Sequence, residues 1–434
     1  MHAEEFIKQL HDGVYDLQLK QLYGDQAIEK QKIRYENAVL KFKNQFPQQI
    51  NSDISVFSAP GRTEIGGNHT DHQHGCVLAA AVNLDVIAVV SFHDDNMICV
   101  KSEGYPMDNI CIDNLSVREN EKGTSAALIR GIAAQFSEMG AVIGGFNAYT
   151  TSDVVSGSGL SSSAAFEILI GTIINNKYFD KKSDAVRLAQ IGQYAENVYY
   201  GKKSGLMDQM VSANGGLVFI DFKDTVNPEI QKHSVDLSQF GYEICITDTK
   251  GSHSDLTDDY VAVSSEMKQA ANFFNCCYLR EVAEENFINS IPELRKTCSD
   301  RAVLRSLHFF EENRRAYQES VALQEGNMEY FLGLMKKSGS SSANLLQNLY
   351  SVNKPTEQAI PLAIAVSKKI LNGDGAVRVH GGGFAGTIQA VVPANLVESY
   401  KAGMENLFGK DCCYVLRIRP CGGVELTGAM EDVQ

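Results

Sequence analysis

Gly157-Ser-Gly-Leu-Ser-Ser-Ser-Ala-Ala165 runs straight into the helix-forming stretch Phe166-Glu-Ile-Leu-Ile-Gly-Thr-Ile-Ile174. Gly157 and Gly159 have no Cβ and adopt positive φ readily, so the chain here can wrap closely around a ligand. The first N–H groups of the following helix lack intrahelical partners and sit at the positive end of its dipole, which makes that end an anion site. Ser161, Ser162 and Ser163 add hydroxyls able to bond phosphate oxygens or ligate a metal. Two readings stand on this stretch alone: a phosphate cradle, or a serine-capped helix after a flexible loop. It is not a Walker-type loop, because no Lys-Ser or Lys-Thr follows the glycines. The rest of the chain has to decide.

Upstream, Ser55-Val-Phe-Ser58 reads as a short strand, followed by the polar segment Ala59-Pro-Gly-Arg-Thr-Glu-Ile-Gly-Gly-Asn-His-Thr-Asp-His-Gln-His-Gly75. Arg62, Glu64, Asn68, His69, Asp71, His72 and His74 crowd it with groups that bind hydroxyls. A solvated loop is one alternative. A metal site is another, although the His and Asp spacing matches no standard zinc pattern. The apolar run from Cys76 to Val90 alternates too little for an exposed strand pair and is expected in a buried sheet. Downstream, an amphipathic helix from Ala185 to Tyr200 carries Glu196, and Asp208 stands among Leu206, Met207 and Met210. A carboxylate in apolar company is either paired or functional, and a helix cap is the plain alternative.

With 434 residues the chain suggests two or three domains. A hydrophobic fraction of 44% with 21% charged residues supplies ample core. The formal net charge of −14 argues against nonspecific binding to nucleic acid or anionic membranes. The cysteines include the adjacent pairs Cys276-Cys277 and Cys412-Cys413 but no C-x-x-C, so reduced thiols in a cytoplasmic protein are expected. Neither a signal-type h-region nor a membrane-length apolar run is present.

Residues 3 to 47 have helical spacing and read as an N-terminal appendage ending near Pro47. A helix is expected between Glu121 and Met139, and strands at Gly144–Thr150, Gly215–Asp221 and Tyr242–Thr247. Helical patterning then runs from about Asp258 to Phe287, from Ala302 to Lys337 and from Gln358 to Leu371, with Ser338-Gly-Ser-Ser-Ser-Ala343 as a small-residue linker or loop. Val377-Arg-Val-His-Gly-Gly-Gly-Phe-Ala-Gly-Thr-Ile-Gln-Ala-Val-Val392 places consecutive glycines between two β-type runs, where a tight turn or close backbone approach is needed.

The stretches APGRTEIGGNHTDHQHG at 59–75, GSGLSSSAA at 157–165, GLMDQ at 205–209 and GGGFAG at 381–386 fall in the order found in GHMP small-molecule kinases. Within that superfamily the chain most resembles galactokinases, from about residue 55 to the end. The resemblance implies an α+β, two-domain GHMP kinase fold, with a ribosomal protein S5 domain 2-like N-terminal domain and a ferredoxin-like C-terminal domain. The expected division is 1–50 as appendage, 51–230 as the sugar-, ATP- and Mg²⁺-binding domain, and 231–434 as the second domain, whose last strand can return to the first. It further implies ATP-dependent phosphorylation of the anomeric C1 hydroxyl of galactose. Asp208 would be the base and Arg62 its cationic partner. Asn68, His69, Thr70, Asp71, Gly205 and Tyr260 would contact the sugar. Gly157, Ser158, Gly159, Leu160, Ser161, Ser162 and Ser163 would hold the nucleotide, with Ser163 and Glu196 on Mg²⁺. The implied partner is a small sugar, with no nucleic acid or membrane, in a monomer or weak homo-oligomer.

This chain departs from the family's usual GRVNLIGEHTDY: Asn68 replaces a Glu that faces the sugar's C6 hydroxyl, and His72 replaces Tyr. Asn carries no charge, whereas Glu would repel a C6 carboxylate. The string His-x-Asp-His-Gln also resembles galacturonate kinases, so galacturonate is the alternative substrate. Val155 and Ala385 are smaller departures beside intact motifs. A non-catalytic galactose and ATP sensor is a third reading; such sensors have lost residues of the GLSSSA turn, which is intact here.

Overall fold

The computed structural model describes residues 1–49, 52–154, 159–251 and 256–428. Gly157 and Ser158 of the phosphate turn, and Val155 beside it, lie outside the described residues. The chain opens with helices α1 (Ala3–His11), α2 (Asp16–Tyr23) and α3 (Ile28–Gln45). The main sheet is built from β1 (Ser55–Gly66), β2 (Cys76–His93), β3 (Met97–Ser102), β4 (Met107–Cys111), β5 (Gly145–Ser152), β6 (Leu217–Asp221) and β7 (Glu229–His233). On it lie α4 (Ser125–Glu138), α5 (Ser162–Tyr178), α6 (Ala185–Tyr194) and α7 (Met207–Asn214).

A second, antiparallel sheet has the order β11-β8-β10-β9, with β8 at Tyr242–Asp248, β9 at Ala376–Val379, β10 at Thr387–Pro393 and β11 at Cys413–Leu416. Between β8 and β9 run α8 (Thr257–Phe273), the short α9 (Glu284–Asn289) and α10 (Ile291–Leu294), the long α11 (Asp300–Gln324), α12 (Met328–Ser341) and α13 (Ala359–Leu371). α14 (Val397–Phe408) follows β10. The final strand, β12 (Val424–Glu425), pairs with β1 of the main sheet at Phe57↔Glu425 and Ser58↔Val424. The molecule is thus α+β with two sheets. No helix among the described residues is long and apolar enough to cross a membrane.

The weak alternation of β2 has a physical cause. Val86, Ala88 and Val90 join the core beneath α4 and α5, while Ile87 and Val89 face the appendage. Both faces of the strand are buried, so both must be apolar. Phe6, Leu19, Tyr35, Val39 and Phe42 of the appendage fill the second face. Asp85 interrupts the run yet is fully buried, because Arg34 (2.6 Å) and Arg419 (3.0 Å) neutralise it and Tyr23 and Ser58 donate to it. The appendage is therefore bolted on by a charge as well as by packing.

Two sequence expectations change. β1 does not stop at Ser58 but continues to Gly66, carrying the polar segment into the sheet. Ser338-Gly-Ser-Ser-Ser-Ala343 is not a linker: α12 runs to Ser341 and a π-turn covers Ser342–Leu346. The small side chains let helices pack closely, and their hydroxyls have buried work. Ser338 donates to Glu312 (2.5 Å), and Ser341 lies 2.9 Å from His308 Nδ1.

Candidate active site

Strand periodicity sets the first part of the site. Arg62 and Glu64 are two residues apart on β1 and so share a face, and register breaks at Pro60/Arg62 and Glu64/Gly66 re-aim them. α7 supplies Asp208. Met207, Met210 and Val211 bury against Val77, Ala79 and Ala81 of β2, which leaves Asp208 pointing at β1. Asp208 is the second residue of α7 and not its cap.

Arg62 grips Asp208 with two prongs, Nε to Oδ1 at 2.7 Å and Nη2 to Oδ2 at 2.6 Å. Its third nitrogen donates to the carbonyl of Gly159, and its backbone N–H to that of Leu160 (3.0 Å). One arginine thus ties the carboxylate to the glycine–serine turn. Ser161 has left-handed geometry (φ 56°) and its hydroxyl donates to Asp208 Oδ2 at 2.7 Å. The hydroxyl makes no helix cap, so the plain reading of this serine does not describe it. Burial pushes the Asp208 carboxyl up, but the Arg62 charge and the Ser161 hydrogen bond outweigh it and hold the group below the ordinary carboxylate range. Ser162 and Ser163 form the first turn of α5, where helix N–H groups are unpaired. Gly159 sits at φ +74°, and a Cβ there would press on His380 Nδ1 at 3.0 Å.

Beside this pair lies a cavity of about 200 Å³. That is below the roughly 300–1,000 Å³ of drug-sized pockets and suits a small polar ligand. Arg62, Glu64, Asn68, His69, Asp71, Gly205 and Asp208 line it, and Gly381 and Gly382 of the triple-glycine turn close it from the second sheet's side. His69, at φ 59°, contacts the Gly382 carbonyl through Nε2 at 2.9 Å. Asp71 lies under Gly205, where a Cβ would come within 2.6 Å of Oδ2; burial raises the Asp71 carboxyl.

Three expected sugar contacts have other tasks. Asn68 is fully buried, gives its amide hydrogens to Glu64 Oε1 (3.0 Å) and the Gly381 carbonyl (2.8 Å), and accepts from Asn348 (3.1 Å). Thr70 turns away from the cavity, donating to the carbonyls of Gly67 (2.8 Å) and Cys76 (2.6 Å). Tyr260 stands one layer back, behind Gly382, with its hydroxyl on the Gly383 carbonyl at 2.9 Å. Of the polar segment's histidines, His69 and His72 pack edge to face at 5.6 Å, and no group of three or more metal-ligating side chains forms among the described residues. His74 stacks on Tyr278 at 3.6 Å, and burial pushes His72 down to about 3.

Glu196 is the second residue of a π-turn, Ala195–Tyr200, and is buried. Oε1 accepts from Lys202 (2.8 Å); Oε2 accepts from Ser204 and from Gln209 (3.0 Å). Gln209 also donates to Glu167 Oε2 at 2.9 Å. Glu167 and Lys202 carry no sequence signal, Gln209 enters only as the last residue of GLMDQ, and Glu64 only as one of the hydroxyl-binding groups of the polar segment. The two-residue spacing of Glu64 from Arg62 is the signal that marks it. A larger concavity of about 560 Å³ lies under α2, where Lys20 pairs with Asp25, Arg417 with Asp236, and Lys232 donates to the Asn214 carbonyl.

Known proteins resemble this chain in sequence motifs and in fold. Residues 40–92 match the galactokinase galactose-binding signature, and residues 127–216 match the GHMP kinase N-terminal domain. The crystal structure of Lactococcus lactis galactokinase complexed with galactose superposes with a TM-score of 0.74 at 21% identity, over 89% of this chain and 99% of that one. Methanococcus jannaschii mevalonate kinase gives 0.60 at 13% identity, over 84% and 98%. Streptococcus pneumoniae phosphomevalonate kinase, in complex with phosphomevalonate and AMPPNP, gives 0.57 at 12%, over 84% and 99%. The fold is that of the GHMP small-molecule kinases. The chain resembles the galactokinases in particular, whose galactose-binding signature it matches from the end of α3 through β1 and β2.

Proposed function

We propose that this protein transfers the γ-phosphoryl group of ATP to the anomeric C1 hydroxyl of a galactose-type sugar. The observation that carries the reading is the bidentate Arg62–Asp208 pair, with Asp208 ionised, at the edge of a small polar cavity and tied to the glycine–serine turn. A sugar hydroxyl is a weak nucleophile, and a carboxylate held ionised beside it can take its proton. The C1 oxygen then bonds to the γ-phosphorus, the bond from that phosphorus to the β–γ bridging oxygen breaks, and ADP leaves. Arg62 holds Asp208 in register with the turn and offers positive charge where negative charge gathers. Residues 159–163 and the unpaired N–H groups of α5 cradle the phosphates. Gly157 and Ser158 complete that cradle in this reading.

Ser163 and Glu196 fit Mg²⁺ by their chemistry, as a hydroxyl and a carboxylate are the hard oxygen donors this ion takes alongside phosphate. Lys202, whose side chain is 60% exposed, neutralises Glu196 and can swing aside. When bound, the ion neutralises phosphate charge. His69, Asp71 and Gly205 face the sugar, with Asn68 in the wall and Thr70 and Tyr260 holding the backbone behind it. In this reading residues 51–230 carry the chemistry and residues 231–434 close the cavity. The test is purified protein with Mg-ATP and galactose, read by coupled ADP release and by ³¹P NMR for a C1 phosphate ester. Absence of both signals with galactose and with galacturonate sinks the reading.

A further inference from the structure

The family string GRVNLIGEHTDY, set against Gly61–His72, shows Asn and Glu exchanged: Glu64 stands where the string has Asn, and Asn68 where it has Glu. The loop has therefore moved its negative charge by four residues without losing it. The structure makes the exchange a physical pair, for Asn68 donates to Glu64 Oε1 at 3.0 Å. With both amide hydrogens and its oxygen engaged by protein, Asn68 has nothing left for a ligand. Glu64 is in the opposite position. Oε1 takes Asn68 and the fully buried Arg378 (3.0 Å), while Oε2 has no donor among the described residues, and the residue lines the cavity beside Arg62 and Asp208.

We infer that Glu64 is the residue that reads a sugar hydroxyl in this chain, and that it makes the pocket select a neutral hexose over a uronic acid. This rests on the sugar-kinase reading above. An ionised carboxylate accepts strongly from a hydroxyl and repels a second carboxylate. Arg378 holds Glu64 through Oε1 alone, at 3.0 Å, and its positive charge is also felt by the buried Glu312 behind the cavity wall. Arg62 is the one guanidinium or ammonium on the cavity wall among the described residues, and its fork is spent on Asp208. A uronate carboxylate would meet the Glu64 and Asp208 carboxylates with no unengaged guanidinium or ammonium on the wall to receive it.

The test is calorimetric binding to the full chain of galactose, its 2-, 3-, 4- and 6-deoxy forms and galacturonate, with wild type, Glu64→Gln and Glu64→Asp. In the wild type, galacturonate and one deoxy sugar should bind about 10- to 100-fold more weakly than galactose, the worth of a hydrogen bond to a charged group. Glu64→Gln should flatten that one deoxy penalty and admit galacturonate, leaving the other penalties unchanged. Glu64→Asp keeps the charge for Arg378, so it should still exclude galacturonate while losing the hydroxyl contact, and it decides the question if Glu64→Gln melts early. Wild type binding galacturonate as tightly as galactose, or the same deoxy profile in all three proteins, overturns the inference and leaves the kinase reading standing. A wild type that binds no sugar overturns both.

Discussion

Asp208 and Gln209 are neighbours on α7, yet they face opposite electrostatic settings. Asp208 meets a guanidinium and a hydroxyl. Gln209 bridges two carboxyl groups, Glu167 and Glu196, at 2.9 and 3.0 Å. Burial raises the carboxyl in both settings. At Asp208 opposite charge reverses the effect, whereas at Glu167 the nearby Glu196 adds to it and holds the group well above the usual range. Glu167 Oε1 has no hydrogen-bond partner, a situation a charged carboxylate could not sustain in buried protein. Depth does not decide ionisation here; the partner does. One turn of helix thus supports a charged group facing the cavity and a neutral one behind it.

The largest break in this contrast is Asp208→Asn. It keeps the shape of the side chain and removes the proton acceptor, so sugar 1-phosphate formation should fall by roughly 10²- to 10⁴-fold. Single-turnover measurement with Mg-ATP and galactose checks it, and near-normal turnover would end the base assignment. Arg62→Met should have the next effect. Asp208 would keep its burial and lose its countercharge, so its carboxyl should rise and the acid limb of the kcat/KM profile should move to higher pH. In the wild type the folded group lies below its unfolded value. Its stabilising contribution is therefore complete above the unfolded range near pH 3.9 and is lost as pH falls through the folded value. An acid limb that stays put in the variant would show that Arg62 does not hold Asp208 ionised.

Legibility in the sequence follows how local each feature is. Gly159, the helix after it and the triple glycine were readable because positive φ or close approach at Gly159, Gly381, Gly382 and Gly383 favours glycine there. Arg62 and Asp208 could be named as a pair through motif resemblance, although they are 146 residues apart. The Glu167–Gln209–Glu196 bridge could not: its contacts cross 42 and 13 residues and Gln209 has no chemistry that marks it in a string. Composition misled at Ser338–Ala343, where small residues signal close helix packing as readily as a linker. Asn68 shows a finer limit. Its identity suggested a lost charge at the sugar, but its partners, Glu64, Gly381 and Asn348, are set only by the folded chain.

The smallest effect tests the neutral side of the contrast. Glu167→Gln preserves the acceptor for Gln209 and removes the group's ability to ionise. The sign follows from the raised folded value. A carboxyl raised on folding contributes stability that is complete below its unfolded value, near pH 4.3, and that is lost as pH rises through the folded value. The wild type should therefore lose stability between mildly acid and neutral pH through this group, and the variant should not. In thermal melts the two should coincide near pH 4.5, and the variant should gain on the wild type as pH rises towards 7.5. A constant offset between the curves would mean that Glu167 does not titrate in this range, and that the charge on α7's buried side is not what separates it from the Asp208 side.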